Sequence, residues 1–340
     1  MLKAGLIGLG GMGRGHLNNY IRIMKEQGPI ELVAVCDVDP EKFKDIKVDF
    51  NIKGVVGESY DLSMFHQYTS ADEMIANEKL DLVTIAIPTY LHAPMTVKCL
   101  NAGINVFCEK PMAISVEDCQ LMIDTAKKNG KQLMIGQCLR FWGEYVAAKK
   151  ILDSGELGEV TGGYFWRGGG APGWCFENWY FRAECGGGCL RDQHVHDVDM
   201  IQNLFGMPKA VSTLGKSVLT PGAFDSVTTN YIYDGSFAIN AQDDWSLDGH
   251  DFDMTFRINC EKGSMYMDHD GFRVCRHGEA PFTPEYDHDN AYYKEILYLA
   301  DCIINGKENT VNPPEASLNT IRIVNAEEKS AHALGQVTGI

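Results

Sequence analysis

No apolar run in this 340-residue chain approaches the roughly 20 residues that a helix needs to cross a bilayer. The amino terminus also lacks the basic flank, apolar core and small-residue cleavage site of a signal peptide. A cytoplasmic location without a membrane partner is therefore the expectation. Basic residues are in the minority, 30 Lys and Arg against 46 Asp and Glu, giving a formal net charge of −16. Nucleic acid and anionic membrane are thereby poor partners, because holding phosphates takes clustered Lys and Arg. A disulfide framework is missing too. The 11 cysteines, an odd number, scatter from Cys36 to Cys302 at no framework spacing in a chain too long to need staples. They read as reduced thiols filling small buried spaces. There is no internal repeat, low-complexity tract or long linker. What is present, 45% hydrophobic residues over this length, suffices for the cores of two domains.

The first motif is at the start of the chain. Leu2 to Ile7 is a short apolar run, followed by Gly8-Leu9-Gly10-Gly11-Met12-Gly13 and then a helical stretch through Tyr20 to Met24. Strand, glycine turn and helix are the context in which G-x-G-x-x-G binds a dinucleotide. Gly8 permits the tight turn, Gly10 lets backbone approach a pyrophosphate, and Gly13 lets helix pack on strand; free amides at the helix start hold the anion. A second strand, Leu32 to Cys36, ends in Asp37, whose carboxylate suits both ribose hydroxyls of an adenosine and repels a 2′-phosphate. Val38, Asp39 and Pro40 bring no cation to that corner, which favours NAD over NADP.

From Asp37 to about residue 140, apolar strands keep alternating with amphipathic helices, as in a parallel α/β sheet. Leu82 to Ile87 is near-continuously apolar, the pattern of a strand covered on both faces, and stops at Pro88-Thr89. The loop from Pro88 to His92 then lies at a carboxyl end, where open α/β sheets bind ligands. Ile104 to Cys108 delivers Glu109 and Lys110 to the same edge. Ser115 to Asp118 starts a helix that ends before Gly130, and a last strand, Gln132 to Ile135, ends in Gly136-Gln137. The cofactor-binding candidates are Gly8, Gly10, Gly11, Met12, Gly13, Asp37, Pro88, Thr89, His92, Glu109, Lys110 and Gln137. An NAD-binding domain over 1–140 and a substrate-binding domain over 141–340 follow.

Beyond Trp142 the period changes to two, with short turns. Tyr231 to Ile239 reads as a hairpin about Asp234-Gly235, and Tyr266 to Val274 as another about Asp270-Gly271, implying a mostly antiparallel sheet. Residues 315–333 read as one closing helix. Between these, Gly186-Gly187-Gly188 precedes Asp192, His196 and Asp199, which recur at helical spacing and so share one stripe of a helix. Acid and imidazole on one polar stripe beside three glycines point to chemistry. Cys185, Cys189, His194 and His196 superficially resemble a zinc set. On a helix, though, His194 and His196 point about 160° apart, so no metal is expected.

The ordered set of Gly8 to Gly13, Asp37, Pro88-Thr89 with His92, Glu109-Lys110-Pro111, Arg140-Phe141 and Gly186 to Asp197 resembles the family of glucose–fructose oxidoreductase and inositol 2-dehydrogenase over nearly the whole chain. The resemblance implies a Rossmann domain followed by an α/β domain with a large open sheet, often used to make dimers or tetramers. It also implies NAD(P)-linked oxidation or reduction of sugars and cyclitols. Glu109-Lys110-Pro111 matches the family's signature lysine, and Asp192 and His196 match its D-x-x-x-H pair. Moving a hydride off a secondary alcohol requires a base on the hydroxyl. His196 is the expected base, Lys110 the cation beside the developing alkoxide, and Asp192 a hold on substrate or imidazole. Sequence leaves open whether Lys110 or His196 takes the proton, so Lys110, Asp192 and His196 stand as a catalytic set.

Substrate clues lie in Tyr164 to Arg182, where Trp166, Trp174, Phe176, Trp179, Tyr180 and Phe181 are interleaved with Arg167, Asn178 and Arg182. Rings suit the apolar faces of sugars, and amide and guanidinium groups pair with hydroxyls or a carboxylate. The substrate-binding candidates are Lys110, Arg140, Trp179, Tyr180, Asp192, His196 and Trp245. Free monosaccharide, glycoside, inositol and nucleotide sugar all remain open. Two further classes stand beside the dehydrogenase. One is a glycosidase that oxidises its substrate transiently at C3 and returns the hydride to retained NAD; the other is a non-catalytic NAD-binding sensor. Redox glycosidases of the family carry a His where this chain has Asp192, and the sensors commonly lose the lysine or the Asp and His.

Overall fold

The computed structural model of the chain describes residues 1–44, 61–173, 175–235 and 237–340. The chain divides into two compact units. The first comprises Met1–Cys138, Gly173–Trp179 and Tyr292–Leu318, and the second Leu139–Pro172, Tyr180–Ala291 and Asn319–Ile340.

The first unit opens with β1 (Leu2–Ile7), α1 (Gly11–Lys25) and β2 (Ile30–Cys36). It continues through β3 (His66–Tyr68), α2 (Ala71–Asn77), β4 (Leu82–Ile85) and α3 (His92–Asn101), then β5 (Asn105–Cys108), α4 (Val116–Asn129) and β6 (Leu133–Ile135). The six strands form one parallel sheet in the order β3-β2-β1-β4-β5-β6. Every residue of β4, β5 and β6 is buried, which is why their sequences are mostly apolar rather than alternating, with Thr84 and Asn105 the polar exceptions. Residues 45–60 of the expected strand–helix alternation lie outside the described residues. Helix α4 begins as its sequence implies: Ser115 Oγ accepts the Asp118 N–H at 3.0 Å, and Gly130 ends the helix in the left-handed region at φ 62°.

The second unit holds α5 (Gly143–Ser154), β7 (Val160–Gly168), α6 (Gly188–Asp192), α7 (Val195–Phe205), β8 (Ala210–Lys216), β9 (Ser226–Ile232), β10 (Ala238–Asp244), β11 (Asp253–Cys260), β12 (Gly263–Asp268) and β13 (Gly271–Arg276). After it come α8 (Ala291–Asn305), α9 (Pro314–His332) and β14 (Thr338–Gly339). Its sheet has eight strands in the order β13-β12-β11-β7-β10-β9-β8-β14, antiparallel throughout except for β7 and β10. Alternating burial along β9 and β10 gives the sheet one packed face. Phe165, Phe256, Phe272 and Tyr145 pack ring on ring beneath it. The β12–β13 turn is tight as expected, but its loop residues are His269 and Asp270, with Gly271 at φ 103° opening β13 opposite Asp268. By contrast, β9 and β10 are joined through the longer stretch 233–237.

Two sequence expectations change here. Asp192 and His196 do not share one helix. The His194 N–H reaches back to Cys189 O and the His196 N–H to Gln193 O, so the hydrogen-bond register breaks and α6 ends before α7 begins. The closing helix is also not the last element, because β14 adds an edge to β8. None of the cysteines is in a disulfide, and all but Cys175 and Cys275 are buried. Burial pushes the Cys36, Cys99 and Cys119 thiols up to about 12, as expected of inert core residues. Among the described residues no helix is long and apolar enough to cross a membrane.

Candidate active site

The glycine loop of the first unit is shaped by contacts a side chain would break. Gly8 has φ 95°, and a Cβ there would lie 2.2 Å from Ala86 O; one on Gly13 would lie 2.0 Å from Gly8 O. Gly10 differs, because a Cβ would meet nothing within 4 Å. That opening, with α1 starting after Gly10 without a side-chain cap, leaves the first-turn amides of Gly11, Met12 and Gly13 with no cap to accept from them. Asp37, at the end of β2, accepts the Leu9 N–H on Oδ2 at 2.7 Å and the Asp39 N–H on Oδ1 at 2.9 Å. Arg14, directly after the loop, donates through Nη2 to Lys42 O at 2.7 Å and Lys44 O at 3.2 Å. It brings to the segment after Asp37 a cation that residues 38 to 40 do not supply.

β5 carries Glu109 and the half-buried Lys110 to the same carboxyl edge, and the Lys110–Pro111 peptide is cis. Glu109 is buried; its Oε1 accepts from His16 Nε2 at 2.6 Å and its Oε2 from the Lys110 N–H at 3.1 Å. His92 is buried as well, with Nδ1 against Pro111 O at 2.7 Å and Nε2 against Ile87 O at 2.8 Å. Both its ring nitrogens are thus taken by backbone, and burial pushes its pKa down. His92 and Glu109, expected to touch the cofactor, also brace the turns that carry Pro88-Thr89 and Lys110. Thr89 and Gln137 are buried, each with a side-chain oxygen that has no partner among the described residues.

In the second unit, Gly187 and Gly188 take φ 75° and 71° at the start of α6, and a Cβ on Gly188 would lie 2.7 Å from Phe224 O. Asp192 ends α6 and His196 sits in the first turn of α7, both half-buried. The rest of α7's polar face is structural. Asp197 takes Arg167 bidentately at 2.9 and 3.1 Å, and Asp199 takes Arg140 at 2.7 and 2.9 Å, all four side chains buried. His194, which caps α7, lies between Asp243 at 2.5 Å and Glu327 at 3.3 Å. Burial alone would push its pKa down, but the two carboxylates outweigh that and hold it well above its ordinary value.

Two substrate-binding candidates have partners within the second unit. Arg140 has its guanidinium committed to Asp199 and Asn203. Trp245 is 1% exposed, donates its indole N–H to Asp225 Oδ1 at 2.6 Å, and packs against Tyr180 and Phe181. It is a core residue under the aromatic segment. Trp179 is buried and Tyr180 half-buried, while Trp174 and the side chain of Phe176 lie outside the described residues. Glu177 and Asn178 are consecutive non-glycine residues at φ 49° and 51°, a strained kink inside this segment.

A model described as an oxidoreductase family with an NAD-binding Rossmann fold matches residues 2–137, and a GFO/IDH/MocA C-terminal domain model matches residues 145–266. The chain belongs to the GFO/IDH/MocA oxidoreductase family. A 2,7-anhydro-N-acetylneuraminate hydratase of Mediterraneibacter gnavus is 32% identical over 220 residues, 64% of this chain and 54% of that protein. The chain spans about half the length of the first curated relatives it matches. The scyllo-inositol 2-dehydrogenase (NAD(+)) of Bacillus subtilis matches over 94% of this chain and 91% of its own length, at 25% identity. Among solved structures, an aldose–aldose oxidoreductase of Caulobacter crescentus superimposes with a TM-score of 0.83 at 25% identity, covering 100% of this chain and 99% of that one.

Proposed function

We propose that this family member is a cytoplasmic NAD(H)-dependent oxidoreductase that moves a hydride between nicotinamide and a secondary alcohol carbon of a sugar, sugar derivative or cyclitol. The observation that carries the reading is the carboxyl edge of the first sheet, where the parallel strands β1 and β5, separated by β4, deliver the glycine cradle and Lys110. The open side of Gly10 and the uncapped start of α1 fit a pyrophosphate, and Asp37 fits the ribose hydroxyls. Bound there, NAD supplies the hydride acceptor or donor. The Asp37 carboxylate opposes a 2′-phosphate, which favours NAD over NADP.

In this reading Lys110 stabilises the charge that develops on the substrate oxygen as its proton leaves. Asp192 and His196 complete the set, the imidazole exchanging the hydroxyl proton and the carboxylate orienting imidazole or substrate. Exposed Leu214 and Ile232 on β8 and β9 support association of copies through the open sheet as a homodimer or homotetramer. One comparison favours a second reading. A relative named as a hydratase performs no net oxidation, which suits transient oxidation with the hydride returned from retained NAD.

A panel of inositols, aldoses, glycosides and uronic acids, incubated with protein and NAD, separates the two. NADH appearing in step with an oxidised product supports the dehydrogenase. Release of aglycone, or water addition to an anhydrosugar, without NADH accumulation supports the redox-cycling reaction. Neither product from any substrate refutes both.

A further inference from the structure

Glu295 of α8 is fully buried, and neither carboxyl oxygen has a hydrogen-bond partner among the described residues. It belongs to a first-unit cluster with His16 of α1 and Glu109, in which one ligand-type atom from each residue lies within 4.8 Å of the others. His16 is flanked edge-on by the rings of Phe107 and Tyr292, at centroid distances of 5.2 and 6.4 Å. The Glu109 carboxylate lies flat on Gly136, where a Cβ would come within 3.1 Å of it. The surroundings are apolar and closed, so charge left uncompensated there is costly.

Two carboxyl groups therefore share a site with one imidazole, which supplies at most one positive charge. Glu109 accepts two hydrogen bonds, from His16 Nε2 and from the Lys110 N–H, as an ionised carboxylate does. No donor among the described residues reaches Glu295, so it is the member of the pair suited to carry its own proton. We propose that Glu295 is held as a neutral carboxylic acid and acts as a positioning residue, confining Glu109 and, through the Glu109–Lys110 N–H bond, the backbone of Lys110. Burial, reinforced by the Glu109 charge, pushes the Glu295 carboxyl well above the usual carboxylate range. The titratable groups facing it are Glu109 after β5 and His16 of α1, with Tyr292 on its own helix. Replacing the acid by an amide of the same shape and charge preserves this arrangement, whereas truncation leaves a hole beside Glu109.

The importance of this role rests on Lys110 being the working lysine, but its test uses no substrate. The rate of Lys110 acetylation by acetic anhydride is read by peptide mass spectrometry in the full-length wild type, Glu295→Gln and Glu295→Ala, alongside unfolding midpoints from neutral to alkaline pH. The expected result is labelling of Glu295→Gln within about twofold of wild type and a shift of about tenfold in Glu295→Ala, the scale of effects that follow small displacements of a reacting group. The wild-type midpoint falls as pH rises above the ordinary glutamate range, because the unfolded chain ionises there while folded Glu295 keeps its proton, and Glu295→Gln loses that fall. Glu295→Gln behaving like Glu295→Ala in labelling would overturn the neutral-acid assignment. Unchanged labelling in both variants would remove the positioning role. A divalent cation retained one per chain by the wild type and lost in Glu295→Gln would make the cluster a metal site instead. If no substrate is ever turned over, these outcomes still stand.

Discussion

The Leu9 N–H donates to Asp37 Oδ2 at 2.7 Å, so the glycine loop after β1 and the acid ending β2 form one fixed corner. Asp37→Ala removes both the proposed ribose acceptor and the brace on the loop. NADH affinity is expected to fall by about 2 kcal/mol, roughly thirtyfold, the range of hydrogen bonds to a charged group. NADPH affinity should hold or rise, because the repelling carboxylate is gone. Titration calorimetry with both nucleotides checks the pair, and an unchanged NADH affinity would contradict the corner's role.

Gly10 and Gly13 separate binding from folding. A Cβ on Gly10 meets no atom of the described residues within 4 Å, so Gly10→Ala should leave the unfolding midpoint in place while obstructing the approach to the pyrophosphate. Gly13→Ala would thrust a methyl group to 2.0 Å from Gly8 O and should lower both stability and NADH binding. Equal thermal losses in the two variants would refute the cradle as described.

Lys110→Ala should reduce turnover by about 10² to 10⁴ while leaving NADH affinity within a few-fold, as expected for a group acting on the proton-transfer step. Stopped turnover with lost nucleotide binding would instead mark a structural lysine.

Asp199 is buried against Arg140. Asp199→Ala leaves that guanidinium buried without its partner and should destabilise the second unit by about 3 to 5 kcal/mol. The exposed Lys149–Asp153 pair is the control: Asp153→Ala should change stability by less than about 0.5 kcal/mol. Urea unfolding of both variants measures the contrast.

His194 gives the pH dependence. Its folded pKa is raised, so its contribution is complete below the ordinary histidine value of about 6.5 and is lost as pH climbs through the raised one. Asp243, held up to about 6 by burial and by the Asp197 charge against the pull of His194, adds a loss of the same sign at lower pH. The thermal midpoint should therefore decline from neutral into alkaline pH, and His194→Gln should flatten that decline. A midpoint that rises with pH over this range would exclude the assignment.

Much of the first unit was readable because its signals are local. The alternation of apolar strand with helix, the glycines, Asp37 and the Ser115 and Gly130 caps each act within a few residues of themselves, and the parallel sheet follows from them. Asp192 and His196 were visible as residue types at a spacing, yet their single helix was not real. The break between α6 and α7 is set by hydrogen bonds that Cys189 and Gln193 redirect, and spacing alone does not encode that choice.

Partners distant in the chain were decided only by folding. Sequence by itself determined the chemistry available: a glycine loop, an acid, a lysine, an acid–imidazole pair and the family they jointly mark. The tertiary structure decided which buried polar groups pair with one another. It turned Arg140, His92 and Trp245 inward by giving them Asp199, the Ile87 and Pro111 carbonyls, and Asp225. It also set Glu295 beside Glu109, across a separation no periodicity spans. The physical reason is common to all of these: burial makes an unmatched polar group costly, and which group matches it depends on the three-dimensional approach of chain segments rather than on their order.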